Sequence, residues 1–429
     1  MKISPARRAA LEILNRMDDD RAFSSVLLPR FEEALDDNDR GLCHELVLGV
    51  LRRRMYLDRV IEHYAGPKKL DTAVRNALRL GAYQIIFLDK VPTYSAINES
   101  VNLVQAARKT SAKGLVNAVL RRVSEKVPTL EFEDDVERIS VETSHPRWLI
   151  EKWVDDFGQA DAAVIAAANN TIPRVAFRRS SSEPTSDLSA YQSGAIVDGA
   201  YIASSIDAPL RRLADDNKIY FHDEASQLVA SVVLRTEGKR ILDVCAAPGG
   251  KTTLIAGNVG HISGGLIVAG DLHDSRVELL RSTCVRQGVG FVQVLRYNAE
   301  VSLPFADESF DTVLVDAPCS GTGTIRHNPE IRYFLDPTDF DALAAKQRTI
   351  LKNASKLVRA GGSLIYSTCS IQPEENESVA AGFMQESPGF ISRKPDVPDR
   401  LVTSDGFART FPDRDGTDGF FIAEFQRVD

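Results

Sequence analysis

The sequence predicts a multidomain chain: an all-α N-terminal part, a small α+β segment, and a C-terminal α/β domain on a doubly wound parallel sheet. Three observations carry this. The chain has 429 residues, too many for one ordinary core. Over the first 135 positions, apolar residues recur at helical spacing. From about residue 236, short apolar runs alternate with helical stretches, the pattern of parallel strands joined by crossover helices. The expected boundaries are 1–135, 140–235 and 236–429.

In the first part, AARKTSAKGLVNAVLRRV carries Leu115, Val116, Val119, Leu120 and Val123 near helical spacing. Similar stretches run from Arg7 to Met17 and from Leu42 to Ile61, and Pro92 and Pro128 act as breakers. Residues 1–130 hold 22 Lys+Arg against 16 Asp+Glu, a balance of +6; the remainder holds 30 against 44, a balance of −14. A basic part on an acidic body suits an anionic partner. A solvated helical surface explains the same numbers, but Arg52-Arg53-Arg54 and the pairs Lys68-Lys69 and Arg121-Arg122 favour RNA.

In the middle part, SHPRWLIEKWVDDFG reads as a helix opened by Pro146, PRVAFRRSSS as a short strand, and SSSEPTSDLS as a loop. FHDEASQLVASVVL, from Phe221 to Leu234, reads as an amphipathic helix. Five strand-like runs follow: RILDVCA, GLIVAGD, GFVQVLRYN, DTVLVDA and GSLIYSTC. DGFFIAEFQRV is a further strand, expected antiparallel. The five runs close on Asp243, Asp271, Asn298, Asp316 and Cys369. Ligands of open parallel sheets bind outside the carboxyl ends of the strands, so these residues are expected to converge on one crevice. Asp and Asn also favour strand-to-loop turns, which accounts for one or two of them better than for five.

The composition bounds the alternatives. Hydrophobic residues make up 43%, enough for globular domains, and no apolar run is long enough for a transmembrane helix. The N-terminus MKISPARRAALEILNRMDDD has no apolar signal core. Five cysteines without a CxxC or a Cys/His cluster support neither a zinc site nor a disulfide framework. A reducing cytoplasm fits, and a metal-free monomer is expected.

The glycine turn LDVCAAPGGKTT, Leu242 to Thr253, follows the first apolar run. GGKTT resembles part of a phosphate-binding loop, but position 245 is Cys where that pattern needs Gly. An acid 21 residues after Gly250, Asp271, suits a ribose diol. Two thiols end two strand-like segments: Cys319 in VLVDAPCSGTGT and Cys369 in GGSLIYSTCS. Either cysteine alone reads as a buried inert thiol; both at strand ends beside a cofactor turn suggest covalent chemistry.

These motifs resemble the RNA (cytosine-C5) methyltransferases, and the whole chain resembles the bacterial 16S rRNA members of the Sun or Fmu type. VPTYSAINESVNLV followed by KGLVNAVLRRV is similar to the NusB fold, an RNA-binding helical domain that these enzymes carry at this end. The resemblance implies a Rossmann-like class I methyltransferase domain at 236–429, a small RNA-facing subdomain before it, S-adenosylmethionine as cofactor and 16S rRNA as partner. Cys245, Ala246, Ala247, Pro248, Gly249, Gly250 and Lys251 would cradle the methionine end. Asp271 would hold the ribose, and Asn298 and Asp316 would complete the site. Asn298 stands where the family usually has an acid. Cys369 would be the nucleophile, Cys319 would assist product release, and Asp316 would hydrogen-bond the base edge. Arg326, His327 and Arg332 of TIRHNPEIRY would contact RNA phosphates, or form only an exposed polar loop. IQPEENE, Ile371 to Glu377, matches the family too; Pro373 with Glu374 and Glu375 reads as a helix start that positions the Cys369 loop. The alternatives are a tRNA or other rRNA cytosine methyltransferase, and a non-catalytic RNA-binding antitermination or assembly factor.

Overall fold

A computed structural model of the chain describes residues 3–67, 69–180, 187–259 and 265–428. Lys68 and most of the SSSEPTSDLS loop lie outside the described residues. The chain divides into two compact units. One is Met1–Thr171 with Ile325–Leu335, the other Ile172–Thr324 with Asp336–Asp429. The helices Asp135–Thr143, Arg147–Phe157 and Gln159–Ala168 thus belong to the helical unit. The strands expected to share a subdomain with them belong to the other.

Four helices of the helical unit start where the sequence supplies an acceptor. Ser4, Asp36, Asp71 and Asp134 cap the helices Pro5–Asp20, Asp37–Arg52, Thr72–Phe87 and Asp135–Thr143, each side chain accepting a first-turn N–H. The stretch from Leu42 to Ile61 is two helices, not one. Asp37–Arg52 and Arg54–Ala65 meet at Arg53, whose backbone leaves the helical region at φ −116° and ψ 13°. The break lets Leu46, Val50, Leu57 and Ile61 all enter the same core. Helix Lys113–Glu125 likewise starts late, behind Arg108 at φ 60° and a 3-10 turn at Thr110–Ala112.

Arg79, 2% exposed in the central helix Thr72–Phe87, donates in bidentate fashion to Asp58 at 2.7 and 2.6 Å and lies 3.2 Å from Asp18. A buried cation is tolerated only with such partners. The segment Ile325–Leu335 packs inside the same unit. Glu330 accepts from the N–H and hydroxyl of Ser24, at 2.7 and 2.8 Å. Arg332 is fully buried and donates to the carbonyls of Thr143, Asn169 and Pro329 and to Asn170 Oδ1. Burial pushes it down to about 10. Arg326 is 4% exposed. Both arginines are therefore buried and not phosphate-contacting surface, and Arg332 is an internal anchor. Cationic character alone did not indicate that carbonyls, not phosphates, would receive the guanidinium of Arg332.

The second unit holds two sheets. The small one is antiparallel, with β1 (Val175–Arg179), β2 (Gln192–Ser193), β3 (Ala200–Ala203) and β4 (Ile219–Phe221) in the order β2-β3-β1-β4. The large one contains β5 (Arg240–Asp243), β6 (Leu266–Asp271), β7 (Gln293–Arg296), β8 (Phe310–Asp316) and β9 (Val358–Thr368), all parallel. β10 (Phe390–Arg393), β11 (Ala408–Arg409) and β12 (Phe421–Arg427) complete it. The order is β10-β12-β9-β8-β5-β6-β7, with β11 beside β12. The last apolar run is indeed antiparallel, pairing with β9; β10 and β11 are short and escaped the sequence reading.

Neighbouring strand residues feed opposite cores. Val313 and Val315 pack on one face and Leu314 on the other, as do Leu364 and Tyr366 against Ile365. Helices cover both faces, which is why these strands read as continuous apolar runs. No described helix is long and apolar enough to cross a membrane. Replacing Arg79 with Met is expected to destabilise the helical unit by about 3–5 kcal/mol, because Asp18 and Asp58 lose their buried partner; urea unfolding followed by circular dichroism reads it.

Candidate active site

The five parallel strands present their carboxyl ends at one edge of the sheet. Just beyond β5 the chain makes the glycine turn and enters helix Gly250–Val259. Gly249 sits at φ +107°, where a Cβ would also press on Leu280 and Thr283. Arg178 of β1 holds the turn from behind. It donates to the carbonyl of Gly250 at 3.2 Å and to the Thr253 hydroxyl at 2.7 Å, and burial pushes it down to about 10.

A cavity of about 400 Å³ opens at this edge. Cys245, Ala247, Asp271, Asn298, Asp316, Cys319 and Cys369 line it. Ala246, Pro248, Gly249, Gly250 and Lys251 are not on its wall; they form the body of the turn and the helix start. Arg276, Tyr297 and Lys346 also line it. Nothing in the sequence marked them, since each sits in an ordinary helical or loop context.

The charges are arranged asymmetrically. Asp271 accepts from the N–H groups of Leu272 and Ala247, and Arg276 Nε lies 3.4 Å from it. Asp316 accepts from Lys251 Nζ at 2.7 Å and from the Ser367 hydroxyl at 2.7 Å. Burial works against the Lys251 cation, but the Asp316 carboxylate outweighs it and holds the ammonium above its usual range. Asp243 is 1% exposed; its Oδ2 accepts from Thr252 at 2.7 Å and its Oδ1 has no partner. Burial pushes Asp243 up to about 7, reinforced by the charges of Asp316 and Asp271. Asn298 Oδ1 accepts from the Glu300 N–H at 2.9 Å, which leaves its NH₂ group and one lone pair of the oxygen for a ligand.

Cys319 and Cys369 follow β8 and β9, neighbours in the sheet, and their Sγ atoms are 3.3 Å apart. The hydrogen bond to Cys369 and burial raise the Cys319 thiol well above its ordinary range. Burial also raises Cys43, to about 12, Cys284, to about 11, and Cys245, which leaves these three poor nucleophiles. Gly323 ties the two thiol loops together. Its N–H donates to the Cys369 carbonyl at 2.9 Å, and a Cβ there would strike backbone of Gly419 and Cys369. Downstream of Cys369, Pro373–Asn376 is a turn, and the helix begins only at Glu377. The expected helix start at Pro373 is thus displaced by four residues, because Glu375 turns inward to receive hydrogen bonds from both thiol loops.

A parallel sheet with an antiparallel last strand, a glycine turn after its first strand and acids on the following strand ends define a methyltransferase-type domain, here joined to a helical unit. Residues 230–426 match the family described as 16S rRNA methyltransferase RsmB/F, and residues 4–125 match the NusB family. The chain is 33% identical over 447 residues to the probable ribosomal RNA small subunit methyltransferase B of Bacillus subtilis, covering all of both chains. It is 31% identical to ribosomal RNA small subunit methyltransferase B of Pseudomonas putida, over 98% of each. The chain belongs to this family of ribosomal RNA small subunit methyltransferases, with a NusB-like N-terminal domain. The fold is shared with the crystal structure of PH0851 (TM-score 0.83, 23% identity, all of both chains). It is shared in part with NSun6 from Pyrococcus horikoshii, solved with SFG (TM-score 0.56, 20% identity, 66% of this chain and 98% of that one).

The raised Asp243 carboxyl has a thermodynamic consequence. A carboxyl that titrates higher in the folded than in the unfolded chain costs nothing below about pH 4, and destabilises progressively as pH rises towards about 7. Asp243→Asn keeps the acceptor for Thr252 and removes the charge. It is expected to stabilise the ligand-free protein more at pH 8 than at pH 5, by up to about 2.7 kcal/mol for the two pH units between 5 and about 7, read by denaturant unfolding at both pH values.

Proposed function

We propose that this protein transfers a methyl group to carbon 5 of a cytidine in 16S rRNA, through a covalent adduct between Cys369 and the base, with S-adenosylmethionine as donor. One observation carries the reading: two thiols 3.3 Å apart share the wall of a single cavity with Asp271 and Asn298. Family membership supports rRNA as the substrate class, and such a substrate is cytoplasmic.

The residues present fit the cofactor. Asp243, Asp271 and Asp316 raise the negative potential around the glycine turn, and Asp243 carries a buried acceptor without a partner. That environment suits a ligand bearing a sulfonium and an ammonium. The stretch from Cys245 to Lys251 would hold its methionine end, Asp271 the ribose, and Asn298 and Asp316 the remainder. When bound, the cofactor supplies an electrophilic methyl group.

Everything else falls to the chain. Carbon 5 of cytosine is a poor nucleophile. The Cys369 thiolate adds to carbon 6, its electron pair forming the S–C bond, and carbon 5 becomes enamine-like and takes the methyl. Loss of the carbon 5 proton to solvent then drives elimination: the C–H electron pair re-forms the carbon 5–carbon 6 double bond, and the S–C pair leaves with sulfur as the thiolate. Asp316 hydrogen-bonds the base edge near N3 and stabilises the adduct. Cys319, held as a thiol, assists release from its position against the Cys369 sulfur.

Cys369→Ala is expected to abolish transfer while leaving S-adenosylhomocysteine binding intact. Cys319→Ala should accumulate an RNA–protein complex that survives denaturing gels. If Cys319→Ala is the variant unable to form any adduct, the roles are reversed. Bisulfite mapping of 16S rRNA from a deletion strain should show one cytidine losing protection; an unchanged rRNA map with a changed tRNA map would move the substrate to tRNA.

Because Asn298 Oδ1 already serves Glu300, its NH₂ group is the donor offered to the adenine ring. Asn298→Asp removes that donor and is expected to weaken S-adenosylhomocysteine binding by roughly tenfold, the equivalent of about 1.4 kcal/mol. Calorimetric titration decides; tighter binding would mean that the residue only accepts.

A further inference from the structure

Glu375 is fully buried and collects four hydrogen bonds. Ser320 donates its N–H to Oε1 at 2.8 Å and its hydroxyl to Oε2 at 2.5 Å. Ser370 donates its hydroxyl to Oε2 at 2.5 Å, and Gln347 its amide N–H to Oε1 at 3.0 Å. Ser320 and Ser370 each directly follow one of the two thiols. Gln347 also donates to the carbonyl of Pro318, the residue before Cys319, at 3.0 Å. The backbone of Glu375 is pinned as well, its carbonyl accepting from the Tyr366 hydroxyl of β9 at 2.5 Å. Next to it, Asn376 accepts from Thr368 at 2.5 Å and donates to the Ser370 carbonyl at 2.8 Å, bracketing Cys369 on both sides.

We propose that Glu375 is a positioning residue for the thiol pair: one buried carboxylate clamps the Cys319 loop to the Cys369 loop and sets their sulfur–sulfur distance. Its function as a catalytic aid rests on the methyl-transfer reading above; its function as a clamp does not. Beyond the strand ends the two loops share only a few backbone hydrogen bonds, from Ala317 to Ser367 and from Gly323 to Cys369, so a single acceptor receiving side-chain and backbone donors from both is the economical way to fix their spacing. Only an acceptor with several lone pairs can take four donors at once. Glutamine is the nearest substitute. Its oxygen can receive from the Ser320 N–H and Gln347, and its NH₂ can donate to the two hydroxyls, which then turn to each other or to Thr322, whose Oγ1 lies 3.3 Å from Ser320 Oγ and 3.1 Å from Ser370 Oγ. Alanine removes the shared acceptor altogether: the Ser320 N–H loses its partner, and the two hydroxyls can turn only to each other or to Thr322.

The test uses the full chain with two readouts. The first is single-turnover methyl transfer from tritiated S-adenosylmethionine to 16S rRNA transcribed in vitro, divided by the S-adenosylhomocysteine-binding stoichiometry. A residue that only stabilises the fold lowers that stoichiometry and leaves the normalised rate unchanged. Glu375→Ala is expected to slow the normalised rate by at least about tenfold, with Glu375→Gln within about threefold of wild type. The second needs no activity. Diamide takes two electrons and two protons from a pair of thiols, leaving a disulfide and a hydrazine. The yield of the Cys319–Cys369 disulfide peptide at short times, read by mass spectrometry, should fall several-fold in Glu375→Ala and recover in Glu375→Gln. Should Glu375→Ala be insoluble, Ser320→Ala combined with Ser370→Ala removes both hydroxyl donors, cutting the Cys369 loop from the carboxylate and leaving the Cys319 loop only the backbone N–H of residue 320, and is expected to be impaired in the same direction. Wild-type rates in both readouts for Glu375→Ala, or a Glu375→Gln protein as impaired as Glu375→Ala, would overturn the clamp. A wild-type protein that transfers no methyl, yet loses disulfide yield on Glu375→Ala, would overturn the methyl-transfer reading and leave the clamp standing.

Discussion

The parallel register between β8 and β9 is the constraint on which the site depends. Asp316 pairs with Ser367, so the chain leaves the two strands side by side, and Cys319 and Cys369 fall within 3.3 Å. A slip by one residue would turn Val313, Leu314 and Val315 to the wrong cores. The apolar packing on both faces of the sheet thus enforces the register, and the register enforces the thiol geometry. Chemistry at the strand ends is stabilised by residues that touch none of it.

Around that geometry the unit tolerates several buried charges. Lys251 and Asp316 satisfy each other. Asp243 is left with an unpartnered oxygen and a raised titration, an arrangement that costs stability in the ligand-free chain and suits a cationic ligand. Perturbed carboxylates cluster at functional sites for this reason. By contrast, two internal cations of the helical unit are well engaged: Arg79 by two carboxylates, Arg332 by a cage of carbonyls. A buried charge is poised in one place and structural in the other, and the difference lies in its neighbours.

The segment Ile325–Leu335 illustrates how chain order and spatial order part. It follows the Cys319 loop in sequence, yet its side chains are buried with residues of the N-terminal helices. Its arginines look like a phosphate-binding loop until their burial, and the acceptors of Arg332, are known. A guanidinium emerging from a polar stretch has the same sequence appearance whether it meets a phosphate or a backbone carbonyl.

Fold class, the order of the strands along the chain and the antiparallel last strand were legible in the sequence, because continuous apolar runs ending in Asp, Asn or Cys have few other solutions. The glycine turn was legible too, since Gly249 occupies a backbone region that side chains avoid. The helix break at Arg53 was not, because it answers to a core assembled from distant helices. Nor were Arg276 and Lys346, whose place on the cavity wall comes from helix packing, or the inward turn of Glu375, which read as the acidic start of a helix. Local pattern determined which elements form. Which buried acid binds which hydroxyl, and which thiol faces which, was decided only when residues tens or hundreds of positions apart were packed together, since those interactions depend on distance in space and leave no period in the sequence.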